Sequence, residues 1–229
     1  MKSALNGELI GSSSGKIAVF DVCGTLYSSN TTHDFVEFYL QQRPTWRLSV
    51  FKLLRIRLLN LFWASLSWAT GRDVFRLISV NMLRGAPAEG MNEMAAAFVR
   101  SFLETRARGT VLSLMDELRR ENFRIVLASA SLEWVVREIA RILNADCFFA
   151  CTVSVDDGRI VGSFSCDIRG QKHRVVAGHF PLAEDVVAIT DNREDAELIR
   201  MSSRAWIICD KRKRKRWTRM KLQNFTFLD

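Results

Sequence analysis

Four short apolar runs constrain this chain more than anything else in it. Ile17–Phe20, Arg124–Ala128, Asp185–Thr190 and Ala205–Cys209 read as buried strands. Helical patterns lie between them. Thr110–Glu121 places Val111, Leu114, Met115 and Leu118 on one face, and Leu132–Leu143 does the same with Val135, Val136, Ile139 and Ile142. Strands alternating with helices predict an α/β fold, a Rossmann-like parallel sheet covered by helices, because parallel neighbours need a crossover. A site on such a sheet belongs beyond the carboxyl ends of the strands. Val153–Val155 and Ile160–Phe164 flank Asp156-Asp157-Gly158-Arg159 and predict a hairpin.

Residues 30–105 break this rhythm. They carry helical patterns and no strand signal, so they predict an inserted all-helical cap domain hanging over the end of the first strand. The expected organisation is a leader over 1–16, an α/β core from 17–29 and 106–210, the cap over 30–105 and a basic tail over 211–229. The leader holds Gly7, Gly11, Gly15 and Ser12-Ser13-Ser14, with no apolar stretch of signal-peptide form, which predicts a cytoplasmic location.

Charge is concentrated at one end. Lys211 to Arg216, with Arg219 and Lys221, supplies eight positive charges and no negative ones, equal to the whole net charge of +8. Residues 211–221 are therefore a candidate contact for an anionic membrane surface. The run lacks interleaved aromatics, which argues against a nucleic-acid partner. The second candidate membrane contact is 46–69, where Arg47, Lys52, Arg55 and Arg57 precede an uncharged stretch holding Phe62, Trp63 and Trp68. That stretch is too short to span a bilayer, but basic residues and tryptophans suit its interface. The first reading of the stretch is a lid helix packed on a partner helix or on a second copy in a homo-oligomer, with membrane contact as the alternative.

Cys23, Cys147, Cys151, Cys166 and Cys209 are odd in number and scattered, so they form no disulfide framework. Cys147 and Cys151 have the spacing of one helical turn, but no further pair completes a zinc site.

Three clusters carry candidate chemistry. Asp21-Val22-Cys23-Gly24-Thr25 follows the first strand, Ser129-Ala130-Ser131 ends the second, and Thr190-Asp191-Asn192-Arg193-Glu194-Asp195 ends the third. One edge of a parallel sheet would gather all three. Neighbouring carboxylates need a cation, and oxygen ligands favour Mg²⁺. Ser129 can donate to a phosphate oxygen, and Lys172 can neutralise its charge. The ensemble suits phosphoryl transfer to a carboxylate. Ser131 reads as the cap of the helix that follows. His33 opens the insertion near the Asp21 loop and reads as a helix-start residue.

On these motifs the chain resembles the haloacid dehalogenase superfamily, with a cap like that of its phosphoserine-phosphatase-like subfamily. The resemblance covers roughly residues 17–210. It implies that Asp21 attacks phosphorus, that Ser129 and Lys172 bind the phosphoryl group, and that Gly24, Thr25 and Asn192 line it. It also implies that Asp21, the Cys23 carbonyl and Asp191 hold Mg²⁺, with Asp195 close by. The family's first motif is Asp-x-Asp-Gly-Thr, whereas Cys23 stands here at the second aspartate, the residue that protonates the leaving group and activates water. Thr190 and Asn192 stand where glycine and serine are common. The expected function is a Mg²⁺-dependent phosphomonoesterase acting on a phosphorylated small molecule or lipid. The alternative is a catalytically impaired relative with a phosphate-binding, regulatory or membrane-associated role.

Overall fold

The computed structural model describes residues 15–43 and 45–228. The first strand, β1 (Gly15–Phe20), starts two residues earlier than the apolar run suggested, and the rest of the predicted leader lies outside the described residues. Five helices follow, namely α1 (Thr31–Gln42), α2 (Trp46–Leu54), α3 (Asn60–Thr70), α4 (Val74–Asn81) and α5 (Met91–Phe98). Then come α6 (Gly109–Arg120), β2 (Arg124–Leu132), α7 (Glu133–Ile142) and the hairpin β3 (Cys147–Asp156) with β4 (Arg159–Cys166). The chain continues through α8 (Lys172–His179), β5 (Ala183–Thr190), α9 (Ala196–Met201), β6 (Arg204–Ile208), α10 (Arg214–Thr218) and β7 (Phe225–Leu228).

The seven strands form one sheet in the order β4-β3-β2-β1-β5-β6-β7. Every pairing is parallel except the β3–β4 hairpin. β1 lies between β2 and β5, so the chain builds outward on one side and then crosses to the other. The crevice at that reversal is where such sheets bind ligands. Asp157 and Gly158 both take positive φ, which matches the tight turn the hairpin requires.

Three expectations change. Cys147 and Cys151 are buried on a strand rather than one turn apart on a helix. Ser131 is the eighth residue of β2 and caps nothing; its hydroxyl bonds Thr31 and Thr32 at the start of α1. The basic segment is not an appendage. Trp217 of α10 is buried in the core, and β7 pairs with β6, so residues 211–228 complete the sheet edge.

One apolar core runs from the sheet into the insertion. Phe35, Phe51 and Phe98 belong to the same packed cluster as Phe20, Leu127 and Val136. Arg76 of α4 bolts the two together. Its guanidinium donates to the Ala130 carbonyl from Nε at 3.1 Å and Nη2 at 2.8 Å, pairs with Asp167 at 2.8 Å, and lies 4.0 Å from the Phe164 ring centre. Arg76→Ala would remove both guanidinium donors from the Ala130 carbonyl and the charged partner of Asp167, which keeps the Arg169 amide and the Cys151 thiol, and should cost about 2–3 kcal/mol, or roughly 5–10 °C in Tm by thermal denaturation. Arg76→Lys should recover part of this, since it keeps the charge but not the fork.

His33 forms a second joint. Its Nδ1 lies 2.7 Å from Ser79 Oγ, which spends its own proton on the Phe75 carbonyl at 2.8 Å. His33 therefore donates from Nδ1. Burial is the main reason its pKa falls from 6.5 to about 4, with Asp73 and Asp34 opposing and Arg55 and Arg76 assisting. Between those values the unfolded chain binds more protons than the folded one, so stability falls as pH drops from 6.5 toward about 4. The loss should be on the order of 3 kcal/mol. Urea melts of wild type and His33→Gln across this window should show the wild type losing stability more steeply.

Candidate active site

Strand register assembles the site. Phe20 pairs with Leu127 on β2 and with Ile189 on β5. The next residue, Asp21, is thus level with Ala128 and Thr190, one step before Ser129 and Asp191. The Asp21 amide donates to the Ile189 carbonyl at 2.9 Å, which locks this alignment. Apolar residues hold the strands beneath, and polar residues begin where the sheet stops.

Asp21, Cys23, Gly24, Ser129, Lys172, Asp191 and Asn192 all border one hollow of about 340 Å³. Lys172, the first residue of α8, is buried with its Nζ 2.9 Å from Asp21 Oδ2 and 2.8 Å from Asp195 Oδ2. Thr190 Oγ1 also donates to Asp195 Oδ2, at 2.6 Å. Asp195 is thus a buried anchor for Lys172 and does not border the hollow. Thr25 is fully buried below the loop: its hydroxyl accepts from the Asp191 amide at 2.9 Å and donates to the Asp191 carboxylate at 3.1 Å. Thr25 therefore positions Asp191 and does not face a substrate. Gly24 has φ of +73°, and a Cβ there would overlap the Asp191 carboxylate. Only glycine lets the two motifs approach this closely.

The electrostatics are those of crowded, buried carboxylates. Burial, reinforced by Asp195 and Asp191 and opposed by Lys172, pushes the Asp21 carboxyl up to about 7. Burial also raises Asp191, against the Thr25 hydrogen bond and Lys172. Burial would lower Lys172, but Asp21 and Asp195 raise it on balance and keep it charged. Three carboxylates thus crowd one lysine. Among the described residues no three His, Cys, Asp or Glu side chains form a ready metal cage. Mg²⁺ takes one or two carboxylates and keeps several waters. Asp21 and Asp191 supply such oxygens, so the donor set fits.

Cys23 stands apart. Its Sγ lies 2.7 Å from Thr31 Oγ1, which bonds Ser131 Oγ in turn. Ser131 N donates to Ser129 Oγ at 3.3 Å. Burial and then the Asp21 charge raise the Cys23 thiol, so it stays protonated. His33 faces Ser79 instead of the Asp21 loop.

The insertion adds residues that sequence reasoning missed. Asp73 and Arg76 border the hollow from the start of α4, as Arg169 does from the loop before α8. Arg169 pairs with Glu194. The proximity of Arg169 to Lys172 was a usable signal; nothing singled out Arg76 among the arginines of the insertion.

The sequence profile of the haloacid dehalogenase-like hydrolases matches residues 18–200. Protein CicA of Caulobacter vibrioides is 24% identical over 188 residues, which cover 80% of this chain and 81% of that protein. A protein of unknown function from Bordetella pertussis Tohama I has a TM-score of 0.75 at 15% identity, over 95% of this chain and 99% of that one. A phosphoserine phosphatase in apo form has a TM-score of 0.60 at 18% identity, over 89% and 90% of the two chains. At these identities the solved structures speak to the fold.

Proposed function

The chain belongs to the haloacid dehalogenase-like hydrolases, and from that premise we propose that it is a Mg²⁺-dependent phosphomonoesterase with Asp21 as nucleophile. One observation carries the reading: the Asp21 carboxylate, the Lys172 ammonium and the Asp191 carboxylate meet Ser129 in a single hollow at the sheet's switch point. Asp21 attacks phosphorus as the bond to the leaving oxygen breaks, the leaving alkoxide takes its proton from solvent, and water then cleaves the aspartyl-phosphate to phosphate and free Asp21. Lys172 and Ser129 hold the non-bridging oxygens, while Asp195 and Thr190 keep Lys172 in place. Mg²⁺ held by Asp21, Asp191 and the Cys23 carbonyl would offset phosphoryl charge. No carboxylate at position 23 is available as acid or base, so turnover of poor leaving groups is slow. Phosphate release from p-nitrophenyl phosphate with Mg²⁺, by wild type and Asp21→Asn, tests the reading.

We further propose that α2 and α3 rest on an anionic membrane surface. Among the described residues no helix is long and apolar enough to cross a bilayer. Yet Trp46, Leu58, Leu61 and Trp68 are 71%, 87%, 80% and 88% exposed, and residues 46–71 contain no acidic side chain. Lys52 is exposed beside them. Arg47 and Arg55 are already engaged, by the Met82 and Arg84 carbonyls and by Asp34 and Glu37. Trp63 packs inward on Phe75. Attraction therefore rests on apolar area more than on charge. Flotation with phosphatidylglycerol vesicles should persist in high salt and fall at least tenfold in a Leu58→Glu, Leu61→Glu, Trp68→Glu variant. Binding that salt abolishes, or that the variant keeps, would refute this contact.

A further inference from the structure

A second hollow, about 750 Å³, adjoins the first, and Gly24, Asp191 and Asn192 border both. Among the described residues its walls are basic: Arg108, Arg193, Lys211, Arg212, Lys213 and Arg216 against Asp191 and Asp210. Lys213 pairs with Asp210 at 3.3 Å. Arg108 comes from just before α6, and its Nε donates to the Gly24 carbonyl at 3.1 Å, so the basic wall is fastened to the back of the nucleophile loop. The run from Lys211 is held over the carboxyl end of β6 by the buried Trp217 and by β7. Cationic side chains are thus concentrated in a concave site that opens beside the reacting carboxylate. Such a geometry focuses field toward an anion far more than a solvated tail does.

We propose that this hollow is a second anion subsite, and that the substrate class is a phosphomonoester whose leaving group carries a further phosphate or comparable dianion. This rests on the phosphomonoesterase reading above. The scissile phosphate lies at Asp21 and Lys172, the chain passes over Gly24 and Asn192, and the distal anion meets Lys211, Arg212 and Arg216. A distal anion on a soluble molecule and one on a lipid headgroup share this chemistry.

The test uses alkanediol bisphosphates of increasing chain length, each beside the monophosphate of the same diol. Three exposed wall residues are changed together in Lys211→Ser, Arg212→Ser, Arg216→Ser. A control removes equal charge outside the hollow, in Lys215→Ser, Arg219→Ser, Lys221→Ser. Wild type should favour one bisphosphate length over its monophosphate by at least tenfold in KM. The wall variant should lose that preference while p-nitrophenyl phosphate kinetics stay within twofold, and the control should keep it. No preference in wild type, or equal losses in wall and control variants, would overturn the subsite. Loss of phosphatidic acid vesicle binding with bisphosphate KM unchanged would also overturn it, since the wall would then read a surface and no part of the substrate. Calorimetry of the same compounds on Asp21→Asn needs no turnover and separates the two readings. Wall-dependent preference for a bisphosphate there supports the subsite even if no ester is hydrolysed, and equal affinity for bisphosphate and monophosphate refutes it.

Discussion

Asp21→Asn should abolish phosphate release, by about 10⁴-fold or more in kcat, while the fold survives. Among the described residues the Asp21 carboxylate is the group at the mouth of β1 that both pairs with the buried Lys172 and borders the hollow. An amide keeps the shape and can still lie beside Lys172, but it cannot form the acyl phosphate. The stability change has a definite sign in the wild type. Burial raises Asp21 from 3.8 to about 7. The folded chain therefore holds that proton more tightly than the unfolded one, and the associated stability is lost as pH rises through this window. Asparagine removes this titration. Asp21→Asn should thus be as stable as wild type or more so at pH 8, by urea melts, while having no activity. Retention of wild-type kcat would remove Asp21 from the chemistry and end the aspartyl-nucleophile reading.

Much of this site was legible because the strand-end motifs are local. The apolar runs ending at Phe20 and Thr190 are short, continuous and followed at once by acidic residues, and register then does the rest. Cys147 and Cys151 misled because a spacing of four fits both one helical turn and two pleats of a strand. The strand β7 went unread because Phe225–Leu228 is four residues long and follows a basic run whose charge masks its neighbours. The roles of Thr25 and Asp195 also lay beyond sequence. Thr25 follows the half-buried Gly24 and Asp195 follows the exposed Glu194, and only burial distinguishes a residue that faces a ligand from one that holds another in place. Arg76 was invisible for a different reason: its partners Ala130 and Asp167 lie 54 and 91 residues away, and nothing local marks such a bond.

Cys23→Asp should raise kcat, by about 10²–10⁴-fold for alkyl phosphates, the range that positioned acid–base catalysis contributes. The surroundings of the thiol already suit a carboxylate. Cys23 Sγ is in hydrogen-bond contact with Thr31, which is linked to Ser131, and both hydroxyls can turn to donate. The factors that raise the thiol, burial first and then Asp21, would raise a carboxyl as well. A carboxyl raised in this way can protonate a leaving oxygen near neutral pH and then, ionised, draw a proton from attacking water. The thiol does neither well, because it stays protonated and holds its proton too tightly. Leaving-group dependence separates this from a general gain in binding. An alkoxide needs the proton at bond cleavage, whereas p-nitrophenolate does not, so the gain should be larger for alkyl phosphates in single-turnover assays. Release of phosphate from the aspartyl-phosphate should accelerate for both, because the intermediate is the same. An equal or smaller gain for alkyl substrates would mean that the missing acid is not what limits this enzyme. If wild type is silent and Cys23→Asp turns over, the phosphate site is intact and position 23 alone holds the chain to a binding role.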